Sequence, residues 1–312
     1  MSFNILREDL GGEGHLWADR KQAVLKMIDV NYPTLIGLQE CSWTIREDIL
    51  KADSRRKAIG NSVNNEESGY TKTSSNSIIY RSDIYEVVKS GQFWFSDTPD
   101  KVSNVWTAGY QPKPRVCTWA RFKVKNTGKE FYHFNIHLHN GSAYNSSSDN
   151  YIGDSRTRSL NLLFDRIGSE NTSDLPVIIT GDFNAELSHA MFEPFADWLY
   201  DARSTAPVSD TRATYHGFGL YSTKIDHIFY TGLEPLEYRT INKTYEGVTY
   251  ISDHYPIAAL FELTGSANPD DPQTPGNYGD LTEENFPLDD YNEPPSSNGN
   301  YGDLTEENYP LQ

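Results

Sequence analysis

Through residue 263 the chain alternates short apolar runs with amphipathic stretches, and several of the runs end in a polar or acidic side chain. From Trp17 to Val30, the residues Trp17, Val24, Met27 and Ile28 fall on one face at helical spacing, which predicts a helix. After the turn at Asn31-Tyr32-Pro33, Leu35-Ile36-Gly37-Leu38 reads as a short buried strand running into Gln39-Glu40. The segments 77–80, 85–89, 92–95, 118–124 and 131–138 read as strands of a meander. A second amphipathic helix is predicted over 155–167, with Leu160, Leu163, Phe164 and Ile167 inward. Strands follow at 175–180, 225–230 and 255–263. Ser2-Phe3-Asn4 leaves the first strand barely three residues before its polar end. Meanders mixed with crossover helices predict an α/β fold of two packed mixed sheets flanked by helices, rather than a doubly wound parallel sheet.

Beyond that point the character changes. Residues 265–312 hold six Asp, five Glu and no Lys or Arg, so −11 of the net charge of −17 lies there. The organisation expected is therefore a catalytic domain over 1–264 and an acidic, compositionally disordered tail over 265–312. The tail repeats one 12-residue motif, Asn277 to Leu288 and again Asn300 to Leu311. It reads equally as a bivalent docking segment for a partner protein or as a duplicated spacer. No Lys/Arg cluster offers the footprint of a general nucleic-acid binder, although a metal-assisted nuclease would not need one. No apolar stretch approaches the roughly 20 residues that span a bilayer, which predicts a soluble chain, and a monomer. No secretory leader precedes Ser2, so an extracellular location would require an N-terminal segment already removed. Cys41 and Cys117 are expected as buried free thiols.

The strand ends carry the candidate chemistry. Gly181-Asp182-Phe183-Asn184 follows an apolar strand, and in extended chain residues two apart face the same way. Asp182 and Asn184 could then grip one water or phosphate oxygen, although an ordinary Asx turn would look the same. Glu40 suits magnesium, which takes one or two carboxylates and keeps waters. Asp226 could orient an imidazole, and Ser252-Asp253-His254 would send one side chain to a metal and the other to a phosphate. His137 reads evenly as a site residue or as a hydrogen-bonded core histidine.

Taken in order, Asn4, Glu40, His137, Asp182-x-Asn184, Asp226 and Asp253-His254 resemble the endonuclease/exonuclease/phosphatase superfamily, over about residues 1–263. Phe93-Trp94-Phe95-Ser96-Asp97-Thr98-Pro99, the strand Thr118 to Phe122, and Tyr215-His216-Gly217-Phe218 resemble a mostly uncharacterised, often exported subgroup. The resemblance implies a DNase I-like four-layered sandwich and hydrolysis of a phosphate ester by water with Mg²⁺ or Mn²⁺. It implies Glu40 as principal metal ligand with Asn4 and Asp253 near the ion. It also implies Asp182 and Asn184 on the water and phosphate, His254 held by Asp226, and His137 on the phosphate or leaving-group side. Asp182 and His254 both stay open as the general base. The expected substrate is a phosphodiester, with nucleic acid among the candidates. The alternatives are a phosphatase of a small phosphorylated metabolite or lipid headgroup, and a binding protein acting through the tail. In two places the chain departs from the pattern. His139-Asn140 stand where the subgroup carries Asp and His after the His-Leu pair, while Arg156 keeps that subgroup's basic residue. Glu186 and Ile225-Asp226-His227 lower the phosphoinositide-phosphatase version.

Overall fold

A computed structural model describes residues 1–62, 75–106, 113–140 and 146–263. Met1–Ser266 form one compact unit. The acidic segment 265–312, with both copies of its motif, lies outside the described residues.

The chain order is β1 (Ser2–Asn4), α1 (Trp17–Asn31), β2 (Leu35–Gln39), α2 (Trp43–Ala52), β3 (Arg56–Ile59), β4 (Ile78–Arg81) and β5 (Tyr85–Trp94). It continues with β6 (Val116–Val124), β7 (Glu130–His137), α3 (Ser146–Glu170), β8 (Val177–Asp182), β9 (Tyr200–Asp201), α4 (Ala202–Thr205), β10 (Asp226–Thr231), β11 (Glu234–Thr240) and β12 (Ile257–Glu262). Two six-stranded sheets result, ordered β11-β12-β1-β2-β4-β3 and β5-β6-β7-β8-β10-β9. Both are mixed: β1 runs parallel to β2 and β7 parallel to β8, while the other neighbours are antiparallel. This is the α/β fold of two mixed sheets flanked by helices that the strand pattern predicts, and the DNase I-like sandwich that the family resemblance implies.

Alternation along each strand sorts the layers. In β2, Ile36 and Leu38 join Trp17, Val24, Met27 and Ile28 of α1 and Ile45 and Ile49 of α2 in the core outside the first sheet. In β7, β8 and β10, Phe134, Ile136, Ile179 and Phe229 join Leu160, Leu163 and Ile167 of α3 outside the second. The intervening residues turn inward, and in the middle of the sandwich they are polar. Asn135 donates to the carbonyls of Leu38 (2.8 Å) and Ser77 (3.1 Å) across the sheets. Its Oδ1 accepts from Gln39 Nε2 (2.7 Å) and Thr180 Oγ1 (3.0 Å). Because the Thr180 hydroxyl donates there, it accepts from His133 Nε2 at 2.7 Å, which makes that nitrogen the protonated one. Burial pushes the His133 pKa down to about 3, so the ring is a neutral strut.

Several elements differ from the sequence pattern. The runs at 85–89 and 92–95 are one strand, β5, whose register slips between Val87 and Lys89. A bulge there breaks the period-two pattern without ending the pairing. The helix expected over 155–167 is longer in both directions as α3. Missing from the prediction are α2, which the Ser42 side chain caps at Ile45 N (3.4 Å), and strands β3 and β11. Cys41 and Cys117 are buried free thiols, as expected. Among the described residues no helix is long and apolar enough to cross a membrane.

Gly37 permits the close approach of the sheets. A Cβ there would lie 2.0 Å from Thr180 Oγ1 and 2.6 Å from Asn135 Oδ1. Gly37→Ala is therefore expected to destabilise the domain by about 3 kcal/mol in urea unfolding. A change under about 0.5 kcal/mol would show that the seam is not tightly packed at this point.

Candidate active site

The polar seam emerges at one rim of the sandwich, where the inward faces of β1, β7, β8 and β10 end. Asn4, His137, Asp182 and Asp226 are each the inward-facing residue at such an end, and all are buried. Register enforces the grouping: Asp182 lies opposite His137 on β7 and Asp226 on β10. Three turns complete it. Glu40 follows β2 at φ 55°, Asn184 follows β8 at φ 51°, and Leu6 follows β1 at φ 59°. Three non-glycine residues in the left-handed region around one rim store strain where the chain must reverse to present side chains.

The resulting chain of contacts is continuous. Asn4 Nδ2 donates to Asp182 Oδ2 (3.0 Å) and Glu40 Oε1 (3.3 Å), so one amide joins a carboxylate of each sheet. Asp226 Oδ2 holds His254 Nδ1 at 2.8 Å. The opposite nitrogen, His254 Nε2, is 3.8 Å from Asp182 Oδ2 and 3.5 Å from Asn4 Nδ2. His137 Nε2 reaches the same Asp182 oxygen at 3.4 Å. One main-chain amide fixes the Asp182 carboxylate from behind, Asn184 N donating to Asp182 Oδ1 (2.9 Å), while Asp226 is anchored through its own backbone N, which donates to Thr214 Oγ1 (3.1 Å).

Burial and mutual repulsion set the protonation states. Desolvation, then the neighbouring Asp226 charge, pushes Asp182 up to about 7. Desolvation alone would lower His254, but the Asp226 charge and hydrogen bond, with Asp253 and Asp182, raise it to about 10. Burial, then Arg115 and His254, drives His137 well below the usual imidazole range. At neutral pH the site therefore holds one imidazolium, one neutral imidazole and one half-ionised carboxylic acid.

All eight residues singled out from the sequence lie in this region, but not all as the spacing suggested. Asn184 is not in extended chain beside Asp182. Its left-handed turn sends its Nδ2 to Leu138 O at 3.1 Å, leaving Oδ1 as the polar atom still to be used. Asp253 accepts from Ser252 Oγ (3.2 Å), while its own carbonyl accepts from His216 N and Gly217 N (3.0 Å each). Trp94 is buried rather than walling a cleft. Sequence reading passed over three neighbours. Fully buried Arg20 donates to the carbonyls of Ile5, Leu6, Arg7, His15 and Ile251, clamping the loop after Asn4 to the one before Ser252. Tyr215 lays its ring 4.8 Å from that of His254. Arg115, just before β6, shares the electrostatic field of Glu40 and Asp182. Tyr215 stands in a motif already noted but without a role, while nothing in the local sequence separates Arg20 and Arg115 from ordinary core or strand-end residues.

The donors suit a hard divalent cation: they are carboxylate and amide oxygens with imidazole beside them. Glu40 is held only by long contacts, 3.3 Å from Asn4 and 3.5 Å from Arg7 N, so both oxygens retain capacity. The buried Asp226 Oδ1 takes no hydrogen bond. Asp182, Asp226 and His254 also place ligand atoms within 4.8 Å of one another. There, however, His254 Nδ1 is already committed to Asp226, which suits a hydrogen-bond relay better than a ligand set.

A model of the Endonuclease/Exonuclease/phosphatase family matches residues 1–254. Uncharacterized protein L388 of Acanthamoeba polyphaga mimivirus is 26% identical over 270 residues, covering 79% of this chain and 92% of that protein. The endonuclease/exonuclease/phosphatase of Bacteroides vulgatus superposes with a TM-score of 0.72 at 28% identity, covering 84% of this chain and 97% of that one. The mannosyl-6-phosphatase Bt3783 of Bacteroides thetaiotaomicron superposes with a TM-score of 0.72 at 27% identity, covering 83% and 97%.

The raised Asp182 pKa has a thermodynamic consequence. Between the ordinary value of 3.8 and about 7 the folded state holds a proton that the unfolded state has lost, so stability falls as pH rises through that window. Asp182→Asn removes this penalty. Its stability relative to the parent should rise by about 3 kcal/mol between pH 4 and pH 7 and level off above that. A pH-independent difference in thermal or urea unfolding would contradict the assignment.

Proposed function

The chain belongs to the endonuclease/exonuclease/phosphatase family, and from that premise we propose that it hydrolyses a small phosphate monoester by direct attack of water on phosphorus. The observation that carries the reading is the relay Asp226–His254 aimed at Asp182, with Asn4 tying Asp182 to Glu40.

Each group then has a task that its environment fits. Asp182, near neutral in pKa and supported by Asn184 N, takes the proton from the attacking water. His254 is kept as imidazolium by Asp226 and points its Nε2–H into the site, where it stabilises charge growing on a phosphoryl oxygen. That division makes Asp182 the base, because a protonated His254 cannot serve as one. His137 stays neutral and can hydrogen-bond to the phosphate or to the departing oxygen. Asn184 contributes its free Oδ1 to orient the water. Water adds to phosphorus as the ester P–O bond breaks, the departing oxygen takes a proton from solvent water and leaves as the alcohol, and Asp182 returns its proton to solvent. Glu40, with Asn4 and Asp253 beside it, would hold Mg²⁺ or Mn²⁺, which supplies Lewis-acid polarisation of the phosphoryl group. As a ligand, Asn4 would turn its amide end for end, since its Oδ1 now accepts from Leu6 N at 3.2 Å. The catalytic unit proposed is residues 1–264.

Two observations support a small monoester over the phosphodiester expected from sequence. A relative 27% identical over nearly its whole length is a mannosyl-6-phosphatase. The chain also has a net charge of −17 and no basic cluster to hold a polyanion.

Hydrolysis should be measured on p-nitrophenyl phosphate, bis-p-nitrophenyl phosphate, sugar phosphates and oligonucleotides side by side. Activity is expected to vanish in EDTA, return with Mg²⁺ or Mn²⁺, and fall about 10²–10⁴-fold in Glu40→Ala and in His254→Ala. The rate should rise with pH through a limb at or below about 7 as Asp182 ionises, and fall through about 10 as His254 loses its proton. Asp226→Asn should bring the upper limb down by about two units. Metal-independent turnover, or full activity in both alanine variants, would overturn the proposal.

A further inference from the structure

Several arginines among the described residues are paired with an acidic side chain, as in Arg81–Asp83, Arg121–Glu130 and Arg239–Glu237. Arg20, the most buried, is instead surrounded by main-chain carbonyls. Arg115 has neither arrangement. Among the described residues its guanidinium makes one hydrogen bond, from Nη2 to the neutral side-chain oxygen of Asn140 at 3.1 Å. Its Nε is buried without an acceptor. Desolvation lowers its pKa, and only the charges of Glu40 and Asp182 oppose that. A guanidinium does not shed its proton under such pressure, so the charge stays and is under-compensated.

Placement gives that charge a purpose. Arg115 precedes β6, and β6 pairs with β7 in a register that carries the end of β6 toward His137. Its partner Asn140 lies three residues beyond His137. An amide at 140 anchors one arm of the guanidinium without cancelling its charge, where an acid would cancel it. The cation thus stands at the active-site rim, with a donor to spare and its field reaching Glu40 and Asp182.

We propose that Arg115 is a substrate-binding residue that grips the non-bridging oxygens of the phosphoryl group, so that the site favours a terminal, dianionic phosphate. This rests on the phosphoesterase reading above. The planar fork matches two oxygens of one phosphate, and a second fixed cation beside the His254 imidazolium discriminates for the second negative charge that a monoester has and a diester lacks.

Binding of inorganic phosphate to the full chain in saturating Mg²⁺ tests it by calorimetry, with Mn²⁺ affinity measured in parallel. Arg115→Met is expected to weaken phosphate binding about 10- to 100-fold, and Arg115→Lys to restore part of the loss. Mn²⁺ affinity should be unchanged in both. On p-nitrophenyl phosphate the loss should appear chiefly in KM and exceed that on the bis-ester. Unchanged phosphate binding in Arg115→Met overturns the proposal, as does phosphate affinity falling together with Mn²⁺ affinity or an undetectable phosphate affinity in the parent chain. If the parent hydrolyses no ester yet binds phosphate through Arg115, the phosphoesterase reading fails and this assignment stands. If it hydrolyses esters while Arg115→Met keeps phosphate affinity and KM, the reverse holds.

Discussion

Everything at the catalytic rim depends on Asn135, the side chain through which the two sheets touch. It donates to two carbonyls of the first sheet's region and accepts from Gln39 and Thr180, using all four positions of its amide. Such a layer is narrow only because Gly37 has no side chain opposite it. A seam of ordinary apolar residues would hold the sheets about 10 Å apart and leave their strand ends too distant to share one amide. The hydrogen-bonded seam instead brings the sheets close enough for Asn4, on the first, to bond directly to Asp182 on the second. With all four positions of the Asn135 amide engaged, the seam also has a more definite geometry than a greasy interface.

That closeness then sets the electrostatics. Asp182 and Asp226 are nearest neighbours on paired strands, both removed from water. Asp226 holds His254, and burial together with the Asp226 charge pushes Asp182 toward neutrality. The division of labour between base and cation follows from the seam and the register, without any further device. Arg20 performs the matching service on the other side, tying the turns that carry Asn4 and Ser252 through carbonyls alone. It adds rigidity there while Asp253 and Glu40 keep their negative charge for a cation.

The fold was legible wherever burial imposes a period. Trp17, Val24, Met27 and Ile28 announce α1, and the runs ending at Asn4, Gln39 and Asp182 announce their strands, because each packs one face on a helix layer. What escaped was held by something other than periodicity. α2 is short and rests on a Ser42 cap with two buried isoleucines, while β11 carries Pro235 and a register shift. The site residues were legible as strand ends in a recognisable order, but their orientation was not. Asn184 and Glu40 sit at positive φ, where the two-residue alternation of a strand no longer says which way a side chain points. Arg115 was invisible for a different reason: one arginine before an apolar strand looks like any other until its missing counter-ion is seen.

The central claim is that the buried Asp226–His254 pair keeps an imidazolium at the rim while Asp182 stands ready as the base. The most direct measurement is a titration of the His254 ring nitrogens by ¹⁵N NMR, assigned by comparison with His254→Ala. A doubly protonated ring throughout neutral pH, losing its proton only near 10, is the predicted result, with that step moving sharply downward in Asp226→Asn. A neutral His254 at pH 7 in the parent chain would contradict the account.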